Sequence, residues 1–68
     1  MEDVDIKRII MDVSDSMKLK GYAPVTKIAG YLISNDIGYI PDFDDDRKKM
    51  ATLDRTLILE NMMSEYLK

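Results

Sequence analysis

The sequence contains no cysteine, no histidine and no tryptophan. Without cysteine the chain cannot form a disulfide or a thiolate metal site, and without histidine the common zinc-ligand sets are also excluded. The same absences remove the nucleophile–base pairs of cysteine and serine hydrolases. No glycine-rich phosphate-binding motif is present. We therefore predict that the protein is not an enzyme and uses no cofactor and no metal.

The chain is also short, with 68 residues and a net charge of −3. A core of this size seldom supplies more than about 3–5 kcal/mol, so small proteins usually add a disulfide, a metal or a partner chain. Because the first two are excluded, we predict a single domain over residues 1–68 that is stabilised as a homodimer.

Long apolar runs are absent as well. No segment approaches the roughly 18 apolar residues that indicate a membrane span. Residues 1–5 are acidic, whereas a secretion signal begins with basic residues. We therefore expect a cytoplasmic protein without membrane insertion.

The apolar residues that are present recur at helical spacing. A first helix is predicted over about residues 2–20, with Gly21 ending it, and a second is predicted to begin near Pro24. Gly30 lies inside the second helix, where it costs roughly 1 kcal/mol relative to alanine, and it predicts the close approach of another backbone. The predicted apolar faces are Ile6, Ile9, Ile10, Val13 and Met17 in the first helix, and Val25, Ile28, Ala29 and Leu32 in the second, with Ile33 beside the second face.

An apolar connector is predicted over residues 37–43, packed against the core, with the rings of Tyr31 and Tyr39 buried. The acidic run 42–46 is typical of a helix N-terminus and predicts the start of a third helix. Its cap is expected at Asp44 or Asp45.

The C-terminal segment is more apolar than a helix in a small bundle requires. Asp54 either caps a separate fourth helix or marks a bend. The apolar side chains that follow cover about half of the helix circumference, more than an intramolecular face needs. We therefore predict an all-α fold with about four helices per protomer, and a dimer interface formed by Leu59, Met62, Met63 and Tyr66.

Two other functions are weighed against this interpretation. Asp42, Asp44 and Asp46 have the spacing of the first ligands of an EF-hand loop, but Arg47 and Leu53 stand where glycine and glutamate are required. The alternative function is helix-turn-helix DNA binding, with residues 26–32 in its first helix. The acidic start of the next helix and the sequence pI of about 4.7 argue against it and against a nucleic-acid partner.

Several short motifs lie along the chain from residue 20 onward. The chain reads Lys-Gly-Tyr-Ala-Pro over residues 20–24, Gly-Tyr-Leu over 30–32 and Tyr-Ile-Pro over 39–41, followed by Asp45 and Arg47. Together these motifs resemble the IreB family of small bacterial proteins. The register continues through Arg55, Ile58, Glu60 and residues 66–68, so the resemblance covers about residues 20–68.

The resemblance implies a helical homodimer with a regulatory role. It implies a substrate of a membrane Ser/Thr kinase that senses the cell envelope, in a pathway that controls cephalosporin resistance, with a further, unidentified downstream protein as partner. In the family's best-known member the phosphorylated threonines precede the first helix, whereas residues 1–10 here contain no Ser or Thr. The phosphorylation site therefore stays unknown, and Glu2, Asp3 and Asp5 are hypothesised to supply a permanent negative charge in its place.

The tyrosines of the shared motifs have two interpretations. They are either packing residues or the lining of a groove for a partner protein, because aromatic side chains are enriched at interfaces. The residues concerned are Tyr22, Tyr31 and Tyr39.

Overall fold

The computed structural model describes residues 3–68, with side chains from residue 5 onward. This part of the chain forms four α-helices and no strand, as the all-α prediction requires. The helices are α1 Asp3–Leu19, α2 Pro24–Ser34, α3 Asp46–Ala51 and α4 Arg55–Tyr66, and a short 3₁₀ helix, Ile37–Tyr39, follows α2.

Helix α1 ends at the glycine that the sequence predicted. Gly21 has a φ of +85°, in the left-handed region that glycine adopts without strain. The Gly21 N–H donates to the Lys18 carbonyl at 3.0 Å, and the Tyr22 N–H donates to the Met17 carbonyl at 2.9 Å. These two bonds form a Schellman motif, which turns the chain sharply into Pro24, the first residue of α2.

The glycine inside α2 faces an aromatic ring and not another backbone. A Cβ atom on Gly30 would collide with the ring of Tyr39, which packs directly against this turn of the helix. The expected backbone contact is therefore wrong, although the close approach is confirmed. Tyr31, by contrast, points into the core as predicted, whereas Tyr39 remains exposed.

The connector is held down by one apolar side chain and one arginine. Ile40 is completely buried. Its carbonyl accepts a hydrogen bond from Arg47 Nε at 2.7 Å, which ties the connector to α3. The Asp36 carboxylate accepts from the Gly38 N–H at 2.9 Å and closes the turn before it. The prediction of a packed connector is confirmed.

Helix α3 begins at the predicted position, and its N-cap residue is one of the two that were predicted. Asp45 is the N-cap residue, yet its side chain makes no cap hydrogen bond. Asp44 and Asp45 have φ values of 51° and 59°, and a left-handed N-cap does not present its side chain to the free N–H groups as an extended one does. The next carboxylate, Asp46, is buried.

A separate fourth helix follows, so the choice between a cap and a bend at Asp54 is decided. The Asp54 carboxylate accepts from the Thr56 N–H at 2.8 Å. In the first turn of α4, Arg55 Nη1 donates to the Leu32 carbonyl of α2 at 2.7 Å. This bond ties α4 to the last turn of α2.

The core draws on every helix. Ile58 is the one buried residue of α4, and Ile9 and Ile10 are only partly buried. Val25 and Ala29 were predicted to share an apolar face with Ile28 and Leu32, with Ile33 beside it, but Val25, Ala29 and Ile33 lie on the surface. The buried apolar residues of the described chain are Ile6, Val13, Met17, Ile28, Tyr31, Leu32, Ile40, Met50, Leu53 and Ile58.

Candidate functional site

An apolar groove of about 460 Å³ runs between α1, α2 and α4. Among the residues that the structure describes, Ser14 is its one polar lining residue and no charged side chain lines it. Soluble monomers seldom expose a continuous apolar surface without a binding role. The groove is lined by Ile10, Met11, Ser14, Pro24, Val25, Ile28, Ala29, Leu32, Ile33, Leu59, Met62 and Met63.

Helix α2 contributes a second apolar stripe to this groove. Val25, Ala29 and Ile33 recur every four residues, whereas Ile28, Tyr31 and Leu32 take the core side. Val25 is 83% exposed and Ile33 is 85% exposed. The spacing predicts Val25 and Ala29 on one face with Ile28 and Leu32, and Ile33 beside that face, whereas in the structure Val25, Ala29 and Ile33 are exposed. Separating the two groups along the helical wheel would have revealed the outer stripe.

The four predicted interface residues of α4 lie on the same side of the molecule. Leu59, Met62 and Met63 line the groove. Tyr66 lines a second, more open depression between α1 and α4, and Met62 borders both. All four side chains are exposed while Ile58 points inward. The structure thus brings these residues together, and their contact with a second chain stays a prediction.

The three predicted groove tyrosines are not equivalent. Tyr31 is only 5% exposed and belongs to the core. Tyr22 stacks on Phe43 with ring centroids 5.9 Å apart, and Lys20 lies 5.6 Å from the centre of the Phe43 ring. Tyr39 covers Gly30. Each ring therefore has a packing role within the protomer, and none lines the apolar groove.

A buried carboxylate lies where α1 meets α3. Asp46 has no exposed surface, and neither of its oxygens has a hydrogen-bond partner among the described residues. Burial raises the pKa of Asp46, an effect that the nearby Ser16 hydroxyl and Lys49 oppose and that Asp44 and Asp45 reinforce. The Ser16 hydroxyl donates to Asp44 Oδ2 at 3.2 Å. The acidic run is thus only partly a solvated helix start.

The described residues do not match the alternative functions. A helix-turn-helix joins its helices by a turn of about 3–4 residues. Here α2 and α3 are separated by residues 35–45, which include the 3₁₀ helix. No group of three or more acidic side chains in the described chain is arranged to hold a metal ion. Nor is any helix of residues 3–68 long and apolar enough to cross a membrane.

The N-terminal charge hypothesis falls largely outside the described side chains, since Glu2 and Asp3 precede residue 5. Asp5 forms an ion pair with Arg8 on the surface of α1, with 3.3 Å between Oδ1 and Nη2. An exposed pair of this kind is worth at most about 1 kcal/mol, so it leaves the charge of this region available to solvent.

Comparison with known protein families gives a match over the whole chain. The family model described as IreB regulatory phosphoprotein matches residues 1–68, including the first helix. The motif residues also have structural roles, since Gly21 ends α1, Gly30 admits Tyr39, and Arg47 and Arg55 bind carbonyls of the connector and of α2. The chain therefore belongs to the IreB family of regulatory phosphoproteins.

Proposed function

We propose that this chain is a non-catalytic, cytoplasmic regulator that acts as a homodimer in a Ser/Thr-kinase pathway responding to envelope stress. The regulatory role follows from membership of a family of regulatory phosphoproteins. The envelope pathway and the link to cephalosporin resistance come from the family resemblance, with a membrane Ser/Thr kinase upstream and a further protein downstream.

The observation that carries the homodimer is the apolar groove. The described residues of its lining offer no charge by which a foreign partner could be selected, so shape and apolar area would determine what binds. A second copy of the chain supplies both. In a two-fold interface the same surface meets itself, so a ridge and a depression on one face can interlock.

Exposed apolar side chains from two helices line this face. Val25 and Ile33 of α2 and Met62 and Met63 of α4 all line the groove and are all exposed. Methionine adapts to irregular contacts, which suits a surface that must fill a depression in its own copy. A standard interface buries about 800 Å² per partner, roughly one sixth of the 4713 Å² accessible surface of this protomer.

Substitutions on α4 test the homodimer. Met62→Asp and Leu59→Asp each place a charge in the groove, and we expect sedimentation velocity to detect monomers, or unfolded chains, where the unmodified protein is a dimer. Two variants that remain stable dimers would move the interface to another surface.

A phosphorylation assay tests the kinase pathway. The envelope-sensing kinase domain of the same organism is incubated with the purified chain and Mg·ATP, and mass spectrometry maps the product. We expect one of the seven Ser and Thr residues to be labelled. No incorporation would remove the kinase from the proposal and leave regulation by binding alone.

Partner affinity after changing Asp3 and Asp5 to Asn tests the permanent-charge hypothesis, which an unchanged affinity would reject.

A further inference from the structure

Ser14 occupies a position in the apolar groove that no other hydroxyl shares. It lies on α1, is partly buried, and is the one polar residue of the groove lining. Met11, one turn before it, is about half exposed, so the α1 wall of the groove faces solvent in the protomer.

The other hydroxyl groups lie elsewhere or are already engaged. Ser16 donates to Asp44 beside the buried Asp46, where a phosphate would meet two carboxylates. Ser34 and Thr52 donate to the carbonyls of Gly30 and Lys49. The remaining three are exposed and outside the groove, namely Thr26, Thr56 and Ser64. No hydrogen bond from Ser14 to a described side chain or carbonyl competes for its hydroxyl.

We propose that Ser14 is a phosphorylation site that controls occupation of the groove, an inference that rests on the proposed homodimer. The reaction is phosphoryl transfer from Mg·ATP by a protein Ser/Thr kinase. The Ser14 oxygen forms a bond to the γ-phosphorus, the bond from that phosphorus to the bridging oxygen breaks, and ADP leaves. The hydroxyl proton passes to a base of the kinase.

The electrostatic consequence follows from the lining. A phosphate adds a charge of about −1.5 to −2 at neutral pH. In the free protomer that charge stays hydrated at the wall of the groove, where Lys18, one helical turn further along α1, can also pair with it. A docked copy would strip the water away, and among the described residues no cation lines the groove itself, so Lys18 alone would have to offset the lost hydration.

Docking and phosphorylation therefore exclude one another. A second copy in the groove covers Ser14 and hides it from the kinase, and a phosphate on Ser14 rejects the second copy. Docking lowers the rate at which the kinase modifies Ser14, and the phosphate raises the dissociation constant of the dimer. The kinase also needs α1 to open locally around Ser14, and the uncovered protomer opens more readily than a docked one.

Chemical synthesis of the full 68-residue chain with phosphoserine at position 14 tests the coupling directly. The matched control carries phosphoserine at position 64, which has the same added charge on an exposed part of α4 outside the groove. Sedimentation velocity measures the dimer dissociation constant of both chains and of the unmodified one, and circular dichroism measures helix content. We expect a dissociation constant at least a hundredfold higher for the Ser14 chain, a change of less than threefold for the Ser64 chain, and unchanged helix content in both.

The outcomes separate this inference from the proposed function. An unmodified chain that stays monomeric at all concentrations would refute the homodimer and this inference with it. An unmodified dimer whose Ser14 phosphoserine form dimerises equally well, or loses its helices, would refute the Ser14 switch alone. In the kinase assay, labelling that the Ser14→Ala variant abolishes supports the site, whereas labelling confined to other hydroxyls would overturn it.

Discussion

Replacing Ile33 with lysine separates folding from docking better than any other single change. Its side chain is 85% exposed at the edge of the groove, so the protomer gains almost nothing from its apolar surface. Complete burial of an isoleucine is worth about 1.5–3 kcal/mol. A two-fold interface buries the exposed 85% of the side chain once in each copy, so Ile33→Lys removes about 2.5–5 kcal/mol from the dimer.

Each 1.4 kcal/mol changes a dissociation constant tenfold. We therefore expect the dissociation constant of Ile33→Lys to rise by roughly 50-fold or more, with the chain still helical. Sedimentation velocity over a concentration series gives the dissociation constant, and circular dichroism with urea titration checks that the protomer is folded.

Leu19→Lys is the matched control for this change. Leu19 is 82% exposed at the end of α1 and does not line the groove, so the two substitutions differ mainly in where they lie. We expect it to leave the dissociation constant within about threefold of the unmodified value. An equal effect of both variants, or no effect of Ile33→Lys, would refute the assignment of the interface to the groove.

Three further predictions concern the stability of the protomer. We expect Asp46→Asn to stabilise the protein at neutral pH by about 1 kcal/mol, because burial raises the pKa of Asp46 and disfavours its ionised form. Since the native state binds the proton more tightly than the unfolded chain, the native protein gains stability as pH falls, and the advantage of the variant should vanish in acid. Urea titrations at several pH values check this, and a stability difference that does not depend on pH would contradict it. We expect Gly30→Ala to destabilise the protein by about 1–3 kcal/mol, because the added Cβ collides with Tyr39, and to stabilise it in a Tyr39→Ala background. A change in unfolding free energy of the same sign in both backgrounds would exclude the clash. Arg55→Met removes the hydrogen bond to the Leu32 carbonyl and should lower the free energy of unfolding, measured by heat or urea, by about 1.5–3 kcal/mol. A loss below about 0.5 kcal/mol would show that this bond contributes little to holding α4 on α2.

Much of the fold was accessible from local chemistry. Gly21 and Pro24 marked the α1–α2 turn because each suits one backbone conformation, and Asp54 marked the start of α4 because its carboxylate caps a free N–H. The C-terminal apolar excess correctly indicated an exposed face on α4, since no small core could enclose so many side chains.

What periodicity could not resolve was the division of apolar residues between two faces of one helix. Val25 and Ile33 have the same helical spacing as buried residues, and only the positions of α1 and α4 decide which side is covered. The burial of Asp46 could not be predicted either, because it results from the packing of α1 on α3, and the acidic run alone does not indicate which carboxylate is buried. The contact between Gly30 and Tyr39 likewise depends on how the connector folds back.

The most direct test of the groove as a homodimer interface is an isotope-filtered NOE experiment on a mixture of labelled and unlabelled chains. Such spectra report only contacts between different copies. The proposed dimer predicts intermolecular NOEs that connect the methyl groups of Val25 and Ile33 with those of Met62 and Met63. Intermolecular NOEs from another surface, or none at concentrations where sedimentation finds a dimer, would contradict it.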